Sequence, residues 1–141
     1  MILGFDPGKY KCGIALMAEE MQLHSHEVIL SADAIAIIQN LFKKFPIQLL
    51  VMGNQTTSRS WQQKLTAALP PSTQIVTVDE RYSSLEARDR YWQMYPPRGL
   101  TRLIPEGMRV PPRPVDDIVA IILIERYFDQ AKGQGQEIKN K

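Results

Sequence analysis

Short apolar runs broken by polar turns dominate the first thirty residues. Residues 2–6 and 11–17 read as two strands joined by a turn at Asp6-Pro7-Gly8-Lys9, and the loosely alternating QLHSHEVIL at 22–30 reads as a third. Gly13, inside the second strand, signals the close approach of another backbone. These three strands predict an antiparallel meander. Ser31 then stands at an N-cap position, ahead of a helix whose apolar positions are Ala34, Ile35, Ile37, Ile38, Leu41 and Phe42. Pro46 follows its end.

The second half changes character. IQLLVM at 47–52 is a continuous apolar run, the pattern of a strand buried on both faces. A polar turn, Gly53 to Thr57, leads into a helix over 58–69, closed by Pro70-Pro71. QIVTV at 74–78 is a short strand that ends at Asp79-Glu80, and a helix beginning near Ser84 reaches about Tyr95. Residues 96–113 hold five prolines and two glycines, which excludes a helix or central strand and predicts a long loop. A strong apolar helix follows over 114–131, with Pro114 at its first position. The order β-β-β-α-β-α-β-α-loop-α predicts an α/β fold: a five-stranded mixed sheet flanked by helices, with the first strand central. Residues 1–131 form one domain in this reading, and 132–141 a polar, frayed tail.

Composition narrows the setting more than the chemistry. A chain of 141 residues with 44% hydrophobic and 23% charged residues suits one globular domain. The net charge of +2 allows a polyanionic partner without requiring one. A single cysteine, Cys12, excludes an internal disulfide and a cysteine-based zinc cluster, and suits a reducing cytoplasm. Asp6 and Lys9 interrupt the first apolar run, so no signal peptide is expected. The longest apolar stretch, 118–124, is far short of the roughly 20 residues that span a membrane.

The candidate chemistry lies in acids at element ends. Asp6 ends the first strand, Glu80 follows the last, and Asp116 or Asp117 opens the final helix. Each has an ordinary explanation. Asp6 before Pro-Gly suits a turn, Glu80 has Arg81 and Arg88 to pair with, and acids in a first helical turn favour the helix dipole. Their joint placement is less ordinary. Ligands of open α/β sheets bind beyond the carboxyl ends of strands, and strands parallel and adjacent would put Asp6 and Glu80 on one edge. Three carboxylates gathered there would repel one another unless a divalent cation relieved them, which points to hydrolysis of phosphate esters. His24 and His26 share one side of a strand without a matching acid or cysteine nearby, and are read as surface polarity rather than zinc ligands.

Three segments together resemble a known family. ILGFDPGKYKCGIAL resembles the opening motif of the RNase H-like superfamily, in its RuvC/YqgF (RuvX) branch; VDERYSSLEAR and VDDIVAIILIERYF resemble the same branch's DER segment and terminal helix. The resemblance spans nearly the whole chain and implies an RNase H-like nuclease. It implies Asp6, Glu80 and Asp116 as catalytic, metal-binding acids around Mg²⁺ or Mn²⁺ in a two-metal site. The choice of Asp116 over Asp117 rests on this resemblance alone. It further implies trimming of the small-subunit ribosomal RNA precursor, or, as the alternative, resolution of a Holliday junction. Resolution of a junction needs two linked sites and hence a homodimer; otherwise a monomer suffices.

Nucleic-acid contact is expected from Gly8 and Lys9 in the first turn, from Arg81, and from Arg98, Arg102, Arg109 and Arg113 in the long loop. Against Glu106, the four loop arginines leave a local charge of +3. Arg81 has two readings, as a phosphate contact or as an orienter of Glu80. Thr56, Thr57 and Ser58 either meet a phosphate or cap a helix. Tyr82 is free to stack a base, while the helical spacing of Tyr91, Trp92 and Tyr95 favours packing. The sequence departs from the family pattern after the 47–52 strand and in its proline-rich loop, which bears on substrate choice and leaves a non-catalytic RNA-binding member as a rival. An actin-like ATP-binding domain needs a second lobe for which this chain has no room.

Overall fold

A computed structural model describes residues 1–55 and 57–139. Ile2–Asp6 (β1) pairs antiparallel with Lys11–Met17 (β2), which pairs antiparallel with Leu23–Leu30 (β3). On its other side β1 pairs in parallel with Leu49–Gly53 (β4), and β4 with Gln74–Val78 (β5). The spatial order β3-β2-β1-β4-β5 makes β1 the central strand of a mixed five-stranded sheet, as the patterning predicts.

The helices cover both faces. Ala34–Lys44 (α1) and Ser58–Ala68 (α2) close one side, where Leu3, Phe5, Ile14, Leu50 and Met52 meet Ile38 and Leu65. Leu49, Val51 and Val78 face the other side, against Ser83–Met94 (α3) and Asp116–Lys139 (α4). Seven consecutive residues of α4, Ile118 to Ile124, are buried, so this stretch of the helix is enclosed on every side between the sheet and α3. That explains an apolar run without amphipathic spacing.

Several local expectations shift. Ser31 does not cap α1: a short 3₁₀ turn at Ser31–Asp33 precedes it, and the Ser31 hydroxyl donates instead to Gly8 O at 2.8 Å. Pro114 lies outside α4, which starts at Asp116; the Val115 carbonyl accepts from the Ile118 and Val119 amides. At its other end α4 continues to Lys139, taking in residues read as tail, while 140 and 141 lie outside the described residues. The proline-rich segment is a loop with 3₁₀ turns at Gly99–Leu103 and Glu106–Met108.

Candidate active site

Asp6 closes β1 and is 9% exposed. Its partner across the ladder is Gly13, where a Cβ would collide with the backbone carbonyl of Asp116. The first turn of α4 is therefore pressed onto β2 beside Asp6. Two carboxyls more than a hundred positions apart become neighbours in this way. Burial first, then the charges of Asp116 and Glu80 and a hydrogen bond with Asp116, push the Asp6 carboxyl up to about 8. Asp6 thus binds a proton far more readily than a free aspartate does. Asp116 is raised too, by burial and by Asp117, against its own backbone, Asp6 and Lys11, which favour the charged form.

Glu80 reaches this rim differently from the expectation. β5 is parallel to β1 but not its neighbour, because β4 lies between them. The interval is crossed at Gly53, the last residue of β4, where a Cβ would collide with Glu80 Oε2. Glu80 therefore lies over the end of β4. Burial raises its carboxyl, the backbone of Gln55 and the Arg126 guanidinium oppose that rise, and Asp79 adds to it. Glu80 Oε1 is buried without a hydrogen-bond partner among the described residues. Arg126, on α4, also donates to Asp79 O at 2.8 Å and to Glu86 Oε2 at 2.9 Å. Its part at Glu80 was not legible in the sequence, where Arg81 and Arg88 are the near neighbours.

Among the described residues no three His, Cys, Asp or Glu side chains stand close enough to hold one metal ion. The donor chemistry nevertheless suits a hard divalent cation. It is all oxygen, crowded with like charge, and includes a buried carboxylate oxygen that lacks a hydrogen-bond partner among the described residues.

Asp117 faces elsewhere. It is 2% exposed, with His26 Nδ1 2.6 Å from Oδ2 and Arg113 Nη1 donating to Oδ1 at 2.9 Å. Burial works to raise this carboxyl, but its bonds to Arg113 and His26 hold it below the usual aspartate range. His26 is thus a buried-acid partner rather than surface polarity. Its counterpart lies 91 positions away, beyond any spacing rule.

The nucleic-acid candidates divide. Arg113 is engaged by Asp117 and stacked over Tyr91 and Tyr95, 5.4 and 5.7 Å from their ring centroids. Arg102 and Arg109 turn back onto the loop, donating to Gly99 O at 3.5 Å and to Ile104 O at 2.9 Å. Arg98 and Arg81 are exposed, as is Lys9, whose ammonium sits over Tyr10. A Cβ at Gly8 would collide with Lys11 O, so closure of the β1–β2 turn already accounts for the small residue there. Thr57 precedes α2 without a side-chain cap bond, Ser58 is its first residue, and Thr56 lies outside the described residues. Tyr91 is buried against Trp92 and Tyr95, whereas Tyr82 is 76% exposed in the left-handed region (φ 60). The loop also exposes Leu100, Leu103, Met108 and Val110, an apolar content that its arginines overshadow in the sequence.

A family model described as RuvX, Holliday junction resolvase, matches residues 1–130. Among solved structures, RuvC from Thermus thermophilus is similar at 14% identity and TM-score 0.48, over 86% of this chain and 88% of that one. A protein from Cytophaga hutchinsonii assigned as a sugar kinase is similar at 15% identity and TM-score 0.43, over 65% of this chain. The present chain spans 39% of the length of that kinase. No curated protein matches the sequence.

Proposed function

The chain belongs to the RuvX family, whose description is Holliday junction resolvase, and we propose that it is a metal-dependent nuclease hydrolysing phosphodiesters in structured nucleic acid. One observation carries this reading. The carboxyl that ends the central strand is buried, hydrogen-bonded to Asp116 and within the field of Glu80, and its affinity for a proton is raised accordingly. Such crowding costs stability in a metal-free protein and is relieved by a divalent cation.

Asp6, Glu80 and Asp116 would hold Mg²⁺ or Mn²⁺, and a pair of such ions supplies an activated water and a stabilised leaving oxygen. Around them the chain's own residues have separate tasks. Asp6 would give up its proton on holding a cation, and Gly53 keeps space for the Glu80 carboxylate. Exposed Arg81, Arg98 and Lys9, with Arg102 and Arg109, attract phosphates through their charge. Tyr82, exposed two positions after Glu80, offers a ring for an unpaired base.

The sequence resemblance favours the small-subunit ribosomal RNA precursor as substrate, in a cytoplasmic setting. The description of the matched family favours a four-way DNA junction. Both are tested together: purified chain with Mg²⁺ is offered each substrate, and cleavage products are mapped. Cleavage of either one that disappears in Asp6→Asn supports the nuclease reading, and the preferred substrate decides between the two. Equal rates for the parent chain, Asp6→Asn and Glu80→Gln would sink it. A dimer in light scattering accompanies the junction activity, because two strands must be cut together.

A further inference from the structure

Asp117 and Asp116 are consecutive acids in one helical turn, yet the fold treats them in opposite ways. Asp116 is half-buried beside Asp6, whereas Asp117 is almost wholly enclosed and both its oxygens are occupied. Its partners come from separate parts of the chain. His26 lies on the edge strand β3, and Arg113 ends the proline-rich loop. Arg113 is itself held over Tyr91 and Tyr95, at the C-terminal end of α3. The Asp117 carboxyl is bonded at both oxygens, with His26 Nδ1 2.6 Å from Oδ2 and Arg113 Nη1 donating to Oδ1 at 2.9 Å. One side chain therefore ties together β3, the loop exit, and through Arg113 the end of α3.

The start of α4 is consequently fixed at two points. On one side the backbone of Asp116 rests on Gly13, with no room for a Cβ between them. On the other, Asp117 is clamped between His26 and Arg113. Rotation of this first turn about the helix axis would have to break one contact or the other. The place from which the Asp116 side chain leaves the helix is set by these contacts.

We propose that Asp117 is a positioning residue: held by His26 and Arg113, it locks the first turn of α4 so that Asp116 stays turned toward Asp6 to receive the cation. The inference rests on the metal-dependent reading above and adds to it residues that touch neither cation nor substrate. Residues that orient metal ligands in this way typically change metal affinity or activity by about 10- to 100-fold when altered.

The test uses the full chain and Mn²⁺ as probe. In isothermal titration calorimetry, Asp117→Asn and His26→Ala should weaken Mn²⁺ binding by about 10- to 100-fold. His26→Asn, which keeps an N–H donor near the Nδ1 position, should recover much of the loss. In the metal-free chain, Asp117→Asn should speed amide exchange at Ile118 and Val119, the amides bonded to Val115 O. Cleavage should fall through a higher Mn²⁺ requirement, with KM for the nucleic acid unchanged. Ile38→Ala, in α1 on the opposite face of the sheet, serves as a destabilised control and should bind Mn²⁺ like the parent. If the parent binds Mn²⁺ and Asp117→Asn and His26→Ala match it, or if Ile38→Ala weakens binding as much as they do, the positioning role is wrong while the nuclease reading stands. If the parent fails to bind Mn²⁺, the functional reading fails and this inference falls with it.

Discussion

Gly53 and Glu80 share one space: the carboxylate of Glu80 lies where the Cβ of any other residue at position 53 would be. Gly53→Ala should therefore fold, because the group in the way is the far end of a flexible side chain. The displaced Glu80 then leaves the rim. We expect thermal unfolding to shift by only a few degrees while nuclease activity falls at least tenfold, read by circular dichroism and by cleavage of the preferred substrate. A variant that cleaves at the parent rate would show that Glu80 does not need this seat.

Gly13 makes the contrasting case, because a Cβ there meets main chain. The atoms in the way are the carbonyl carbon and oxygen of Asp116 and the amide nitrogen of Asp117. Gly13→Ala must push α4 off the sheet, and overpacking of this kind costs about 1–3 kcal/mol, occasionally more. The unfolding midpoint in urea should drop clearly, and Mn²⁺ binding should weaken together with stability.

The raised Asp6 carboxyl makes stability depend on pH with a definite sign. Its pKa rises from the ordinary 3.8 to about 8 on folding, so between these values the folded chain holds a proton that the unfolded chain has lost. Stability from this group is therefore greatest below the lower value and declines as pH climbs toward 8. Asp6→Asn removes the ionisation. In metal-free protein it should raise the melting temperature over the parent, more at pH 9 than at pH 5, while abolishing cleavage. A parent chain more stable at pH 9 than at pH 5 relative to Asp6→Asn would contradict this.

The same proton competes with the cation. Below pH 8, loading of Mn²⁺ should release close to one proton, and apparent affinity should rise by up to about tenfold per pH unit. Calorimetry in two buffers of different ionisation enthalpy measures the proton count, and an affinity flat from pH 6 to 8 would disprove the coupling.

Arg102 and Arg109 donate to carbonyls of their own loop, and the proposed function gives their charge to phosphates. Replacing both with Gln should raise the apparent Kd for duplex DNA. If each contacts one phosphate, the slope of log K against log salt becomes shallower by about 1.8. An unchanged slope would remove the loop from the binding surface.

Local patterning was enough to read the element order and the central place of β1, because alternation, continuous apolar runs and proline clusters report on backbone pairing and burial close by in the chain. It also brought out Asp6, Glu80 and the acids of the last helix, since an acid where an apolar strand stops stands out from its neighbours. Other points depended on packing between segments far apart. Sequence pattern had no means of telling the surroundings of Asp116 and Asp117 apart; in the structure Asp117 is bonded to His26 and Arg113, while Asp116 lies beside Asp6. It likewise left open whether the strands of Asp6 and Glu80 are neighbours; β4 intervenes, and Gly53 makes the crossing possible. Which strands and side chains adjoin across the sheet is a property of the closed core. Periodicity along a chain describes faces of single elements, and only their docking decides which charges share a buried space.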